Sequence, residues 1–330
     1  MFLKRFLPAK TKKSDASPPG PKSHSSFDML TFRIPEEVHD VDAAPPRDYL
    51  TIATIVRNEA PYMREWVAFH LAMGADRLIV YDNTSTDDLA GAIADFVRLG
   101  LVEIVPWPHF IDRADFLKTG AAHAIVYTRR TTRWLACIDA DEFLFSPTGS
   151  ALPDILRSYE DLPALIVYWV NFGTSGHVAA PLGLVTESYH LRAVDSFPGN
   201  LLHKSILNPS AVRSVWGSHR FGFDCYPVVG YDENRTPIDD HDKSRTHSSQ
   251  ILRINHYYSR SRSEFDTKLK HGFARHKPAL VEEKQQFLRE LEGDQIEDRA
   301  AQQFLPMVKR YLETPELARR PDSAPGRPPR

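Results

Sequence analysis

Cysteine is nearly absent: the 330 residues hold two, Cys137 and Cys225, far apart in sequence. A disulfide framework and a cysteine-rich zinc site are therefore excluded, and both read as buried free thiols of a reducing compartment. No apolar run approaches the roughly 20 residues of a membrane-spanning helix. Met1-Phe2-Leu3-Lys4-Arg5-Phe6-Leu7-Pro8 is broken by charge and lacks a signal-peptide core. Charge of one sign is not in surplus either, the formal net charge being -2, so no nucleic-acid partner is expected. A Gly-x-Gly-x-x-Gly after the first predicted strand and a Walker Gly-Lys-Ser/Thr are both missing, which disfavours a dinucleotide oxidoreductase and a P-loop nucleotidase. No His-x-x-x-His occurs, and the case for a metal-dependent hydrolase weakens accordingly.

What is present is ordinary for a soluble globular protein, with 42% apolar and 25% charged residues. Lys4, Arg5, Lys10, Lys12, Lys13 and Lys22 face a single Asp15, and the stretch from Ser14 to Ser26 contains Pro-Pro-Gly-Pro. Residues 1–46 thus read as a disordered basic tail whose charge suits peripheral contact with an anionic membrane, at the inner face for a cytoplasmic protein.

From Tyr49 the pattern becomes periodic. Tyr49–Val56 reads as a buried strand, Arg57-Asn58-Glu59 as a loop, and Pro61 to Gly74 as a helix with Met63, Val67, His70 and Leu71 on one face. Arg77–Tyr81 is a second strand ending at Asp82-Asn83, followed by a helix capped by Ser85 or Thr86 and running to about Leu99. Leu101–Val105 (strand), Thr119–Arg129 (helix) and Trp134–Ile138 (strand) continue the alternation. Such alternation predicts an α/β fold, a mostly parallel Rossmann-like sheet with helices on both faces.

The run Trp134–Phe145 delivers Asp139, Asp141 and Glu142 at a strand end. If extended geometry persists, Asp139 and Asp141 share a face, where hard oxygens suit Mg²⁺ or Mn²⁺. Parallel strands put their C-terminal ends on one rim, so Arg57-Asn58-Glu59, Asp82-Asn83 and Asp139–Glu142 should line one crevice. Acids and amides there suit a base, a ribose and a metal-bound diphosphate.

Beyond Pro147 short aromatic strands such as Ala164–Val170 appear. Residues 231–250 form a polar, nearly strandless loop, whose Asp239, Asp240, His241, Asp242 and His247 read as solvated rather than metal-binding. Ala279 to about Leu312 is charged and helical, and Pro321–Arg330 is a Pro-rich disordered end. The expected divisions are 1–46, two halves of one domain over 47–150 and 151–275, helices over 276–315, and a tail over 316–330.

At this point the sequence resembles glycosyltransferases of the GT-A fold, in the family-2-like group related to glycosyltransferase family 92. The signs, in order, are Ile55-Val56-Arg57-Asn58-Glu59 with Glu65-Trp66 and His70, Val80–Asp87, Ile138–Phe143, Asn171–His177, and Asn255-His256-Tyr257-Tyr258 with Ser263-Glu264-Phe265 and Lys268. One departure is Lys118–His123, where related sequences often carry a glutamine and an asparagine. The resemblance implies a metal-dependent, inverting transfer of a hexose from a nucleotide sugar, UDP-linked, to a glycan or glycoconjugate hydroxyl, with 47–150 as the nucleotide-sugar half and 151–275 as the acceptor half. It implies Arg57, Asn58, Glu59, Asp82, Asn83, Asp139 and Lys268 around the nucleotide sugar, with Asp82 on the nucleoside and Asp139 on the ribose side. Asp139, Asp141 and His256 would hold Mn²⁺ or Mg²⁺, while Trp66 and His70 pack beneath the rim. For the general base the candidates are His219, in Trp216-Gly217-Ser218-His219, and Asp195. The alternatives are a nucleotidyltransferase of related fold, which should show a Gly-rich basic loop after the first strand, and a non-catalytic sugar-nucleotide-binding protein, which should have lost the acids.

Overall fold

Alternation along one strand, β2 (Asp48–Val56), splits the core into two layers. Leu50, Ile52 and Val56 face one cluster of buried residues, while Ala53 and Ile55 face another. Helix α1 (Ala60–Ala72) covers the first face, burying Met63, Trp66, Val67, Phe69 and Leu71, each worth about 1.5–3 kcal/mol of burial. Pro61 occupies its first turn, and Gly74, at φ +99°, turns the chain out after it. Helix α4 (Arg113–Thr128) covers the opposite face, setting Ala121, Ala124 and Ile125 against Ala53, Ile79, Tyr81 and Leu135.

The computed structural model describes residues 32–34, 46–108, 113–239, 247–272 and 278–319. The basic N-terminal stretch, Asp240, His241, Asp242 and Pro321–Arg330 lie outside the described residues. In chain order the remaining strands are β1 (Phe32–Arg33), β3 (Arg77–Asp82), β4 (Val102–Pro106), β5 (Thr132–Cys137), β6 (Glu142–Phe145), β7 (Ala164–Asn171), β8 (Leu191–Ala193), β9 (His203–Leu207), β10 (Ser214–Val215), β11 (Phe221–Gly222), β12 (Val228–Tyr231), β13 (Pro237–Asp239), β14 (Arg253–His256) and β15 (Gln295–Glu297). The remaining helices are α2 (Leu89–Ala92), α3 (Ala94–Arg98), α5 (Leu152–Leu156), α6 (Val185–Ser188), α7 (Arg262–Gly272), α8 (Pro278–Gly293) and α9 (Leu305–Glu313).

The expected α/β architecture with a large, mostly parallel sheet is present. Its order runs β13-β12-β7-β9-β5-β2-β3-β4, with β14 joining β7 to β6. β5, β2, β3 and β4 are mutually parallel along their ladders. β9 enters the middle of the sheet antiparallel to both β5 and β7. No described helix is long and apolar enough to cross a membrane.

Four details differ from the sequence expectation. The helix expected from Ser85 or Thr86 starts later, at α2, with Asp88 as its cap, and Ile93 interrupts it before α3. Ser85 and Thr86 are used elsewhere: Ser85 Oγ accepts from Asn58 N at 3.1 Å, and Thr86 N donates to Asn58 Oδ1 at 2.7 Å. The polar loop over 231–250 contains strand β13, paired back onto β12. Within it, buried Glu233 accepts from the backbone N–H groups of Gln250, Ile251 and Leu252, fixing the approach to β14. Strand β15 interrupts the C-terminal helices by pairing with β8. Lastly, Cys225 is exposed, because it sits on the turn before β12, and Cys137 is only partly buried.

Candidate active site

The apolar run through Phe145 is two strands, not one. β5 stops at Cys137, residues 138–141 turn, and β6 starts at Glu142 to pair antiparallel with β14. Glu142 closes the turn from within: its N–H donates to Asp139 O at 3.1 Å, and its Oε2 accepts from Asp139 N at 3.0 Å. Two expected packing residues hold the turn from below. Trp66 Nε1 donates to Glu142 O at 3.0 Å, and His70 Nε2 accepts from Leu144 N at 3.1 Å while Nδ1 bonds Trp66 O. Burial holds the His70 ring neutral, its pKa lowered to about 3.

Since the turn is not extended, Asp139 and Asp141 acquire different partners. Asp139 Oδ2 accepts from Lys204 Nζ at 3.0 Å, and Lys204, which is 2% exposed, also lies 3.6 Å from Glu142 Oε1. Asp141 Oδ2 accepts from Lys268 Nζ at 2.7 Å, and its Oδ1 lies 3.8 Å from His256 Nε2. Arg260 reaches Glu59 Oε2 at 2.8 Å and packs its guanidinium over Tyr62, tying the loop before α1 to the far side of the turn.

These contacts set the charges. Burial pushes the Asp139 and Asp141 carboxyls up, yet nearby cations more than offset it: Lys204 chiefly for Asp139, and Lys268 ahead of Arg260 for Asp141. Both end below the ordinary carboxylate range. Glu142, fully buried beside both acids, is held well above its usual value by burial despite Lys204. For Lys204 burial acts downward, but Asp139 and Glu142 outweigh it and raise it to about 12.

His256 has a fixed tautomer. Asn200 Nδ2 donates to Val194 O, so its Oδ1 accepts from Asn171 N and Nδ2; Asn171 therefore presents Oδ1 to His256 Nδ1 at 2.9 Å. His256 Nδ1 carries the hydrogen, leaving the lone pair on Nε2 toward Asp141. The ring packs on Trp169 at 4.2 Å, and burial lowers its pKa to about 4. His219 is set the same way. Its Nδ1 donates to His203 O at 2.7 Å, leaving Nε2 basic, and burial followed by Lys204 lowers its pKa to about 4. Asp195, the other candidate base, is 77% exposed and paired with Arg192 at 2.7 Å.

A narrow cleft, open to solvent, runs from the C-terminal ends of β2, β3 and β5 toward the turn. Ile55, Tyr81, Gly120 and Ile138 form its walls, and Asp139 and Ser218 stand at one end. Gly120 is needed for its width, since a Cβ there would stand 2.3 Å from Ile55 Cδ1. Other expected donor residues serve the rim. Asp82 Oδ1 accepts from Ser85 N at 2.8 Å, buried Asn83 donates its N–H to Val56 O, and Asn58, at φ +58°, spans to Thr86. Arg57 is exposed. The structure thus brings together Asp139, Asp141, His256 and Lys268, with His219 at the Lys204 side, and not Asp195. Lys204, Arg260 and Asn171 were missed as site residues. A lone lysine at an inward position of the short strand His203–Leu207 was the available signal.

The donor chemistry fits a divalent cation at Asp141 and His256, two protein ligands being enough where phosphate oxygens and water complete the shell. Among the described residues no group of three or more histidines, cysteines and acids is arranged to hold one ion, and Asp139 is paired with Lys204.

Residues 49–292 match the model of glycosyltransferase family 92. A glycosyltransferase family 92 protein of Oryza sativa subsp. japonica is 31% identical over 52% of this chain and 29% of its own length. One of Ricinus communis is 32% identical over 50% of this chain and 30% of its own length. The chain therefore spans less than a third of the length of these curated relatives. Among solved structures, S. aureus TarS with UDP overlaps 82% of this chain and 73% of its own, at 10% identity and a TM-score of 0.35. Glucosyl-3-phosphoglycerate synthase from Mycobacterium tuberculosis, solved with Mn²⁺, uridine diphosphate and glucosyl-3-phosphoglycerate, overlaps 50% of this chain and 58% of its own, at 14% identity and a TM-score of 0.29.

Proposed function

Because the chain belongs to glycosyltransferase family 92, we propose that it transfers a hexose from a UDP-linked donor to a hydroxyl of a glycan or glycoconjugate, with inversion and with the help of Mn²⁺ or Mg²⁺. The observation that carries this reading is the turn at 138–141. It sets Asp139 at the mouth of an apolar cleft beneath the strand ends and Asp141 beside an imidazole whose lone pair is directed toward it.

In this reading the cleft holds the uridine, with Asp139 accepting from the ribose hydroxyls and Asp82 and Asn83 shaping the adjoining rim. Asp141 and His256 would hold the cation, which would supply positive charge against the diphosphate. Lys268 donates to the same diphosphate, so negative charge developing on the leaving group meets a cation already in place. The acceptor hydroxyl oxygen forms a bond to the anomeric carbon as the carbon–oxygen bond to the diphosphate breaks, and UDP departs with that electron pair. The hydroxyl proton passes to His219 Nε2, which is unprotonated at neutral pH and oriented by the His203 carbonyl. Asp195, tied to Arg192 and largely in water, is the weaker base. A single displacement inverts the anomeric centre.

Asp141→Asn removes the charge with almost no change of volume and is the decisive variant. UDP release from UDP-hexose, measured with and without a glycan acceptor, should be acceptor-dependent in the native chain and lost in Asp141→Asn, with melting temperature preserved. Undiminished turnover in the variant would remove Asp141 from the site. Equal release without acceptor would mark a hydrolase.

A further inference from the structure

Two lysines serve the acid turn, and they differ in freedom. Lys204 stands in the middle of the sheet, 2% exposed, clamped between Asp139 and Glu142. Lys268 projects from α7, is 34% exposed, and reaches Asp141 Oδ2 and the Tyr258 carbonyl at the end of a flexible stem. On the other side of the same carboxylate, His256 Nε2 has no hydrogen to give, because Nδ1 carries it toward Asn171. The 3.8 Å separation of Nε2 and Asp141 Oδ1 is thus between two electron-pair donors, an arrangement that a cation bridges and a hydrogen bond does not. Lys268 provides Asp141 with positive charge from the opposite oxygen.

We propose that Lys268 is a displaceable counter-ion: its ammonium holds Asp141 while the donor is absent, and transfers to the donor diphosphate as nucleotide and divalent cation enter together. The inference rests on the metal-assisted reading above and adds to it an order of events. A divalent cation arriving alone meets an ammonium on the carboxylate it needs, and the two repel at short range. A diphosphate relieves both, offering Lys268 new acceptors and the cation new ligands. Cation and nucleotide should therefore bind with positive coupling, the same factor appearing in either order of addition.

The test measures Mn²⁺ uptake by electron paramagnetic resonance of the free aquo ion. It uses the full chain, Lys268→Gln and Asp141→Asn, each with and without UDP, with folding checked by melting. In the native chain UDP should tighten Mn²⁺ binding by about tenfold or more beyond what UDP alone takes up. Lys268→Gln should bind Mn²⁺ without UDP about tenfold more tightly than the native chain, while its response to UDP shrinks and its affinity for metal-free UDP falls. If Lys268→Gln alone binds Mn²⁺ no better than the native chain, while UDP still promotes uptake in the latter, the exchange is refuted and the metal reading stands. If Asp141→Asn matches the native chain, or no protein takes up Mn²⁺ beyond the UDP blank, both fall.

Discussion

Lys204→Met removes a buried ammonium while keeping an unbranched chain of similar length, so it isolates the charge beneath the acid turn. Removing one partner of a buried ion pair costs about 3–5 kcal/mol. Here the cost is lower because Asp139 keeps 37% of its side chain in water. An expected loss of about 2–3 kcal/mol lowers the melting temperature by roughly 3–4 °C for a chain of this size. The pH dependence carries a sign. Although burial alone would raise the Asp139 pKa, Lys204 brings it below its unfolded value, so the carboxylate contributes stability above that unfolded value, about 3.9, and loses it as pH falls through the lower folded one. Lys204, burial notwithstanding, is raised to about 12, so its share is full below the unfolded lysine value and is lost only as pH rises through about 12. The gap between native chain and variant is therefore widest around neutrality and narrows below about pH 4. Urea unfolding at pH 7 and pH 3.5 measures it. Equal midpoints at pH 7, or a gap that does not narrow in acid, would refute the pairing.

The turnover of the native chain should stay level through pH 6.5 and fall only as pH drops through about 4, where His219 protonates. A limb near the ordinary histidine value would contradict its depressed pKa, and His219→Gln should lower kcat by about 10²–10⁴ with a normal melting curve. Lys204→Met should also move that limb upward, since Lys204 is second to burial in lowering the His219 pKa. Gly120→Val fills the cleft beside Ile55 and should weaken UDP binding by about tenfold or more in a titration. Unchanged affinity in Gly120→Val would move the nucleoside out of this cleft.

Elements whose faces are set locally could be read from the sequence. Leu50, Ile52 and Val56 against Ala53 and Ile55, and Pro61 with Gly74 around α1, carry their own periodicity and stop signals. The acids were legible as a group, but their separation was not. Alternation assumes an extended chain, whereas Glu142 folds its own carboxyl back onto Asp139 N and breaks the strand there. Lys204, Arg260 and Asn171 lie 65, 120 and 85 residues from Asp139, Ala140 and His256 respectively. Contacts of that span leave no local period, and a lysine in a short strand looks like a solvated one until the strand beside it is known. The Ser85 and Thr86 capping signal was real chemistry spent on another partner, the Asn58 loop.

The antiparallel strand β9 has a consequence for how the molecule comes together. Synthesis delivers β2, β3, β4 and β5 first, and these can pair among themselves, yet β5 keeps an open edge until residues 203–207 emerge to cover it. Among the described residues the same five are the only link between β5 and β7 along the sheet path, so β9 acts as a keystone whose arrival joins two partial sheets. Such a join closes a long loop and is entropically slow, and the uncovered β5 edge is meanwhile a template for pairing with another chain. Because Lys204 sits within that strand, the carboxylates of the acid turn meet their buried cation only at this late step. The charge pattern of the cleft and the closure of the sheet are thus one event in folding, and a polypeptide cut before His203 would have neither.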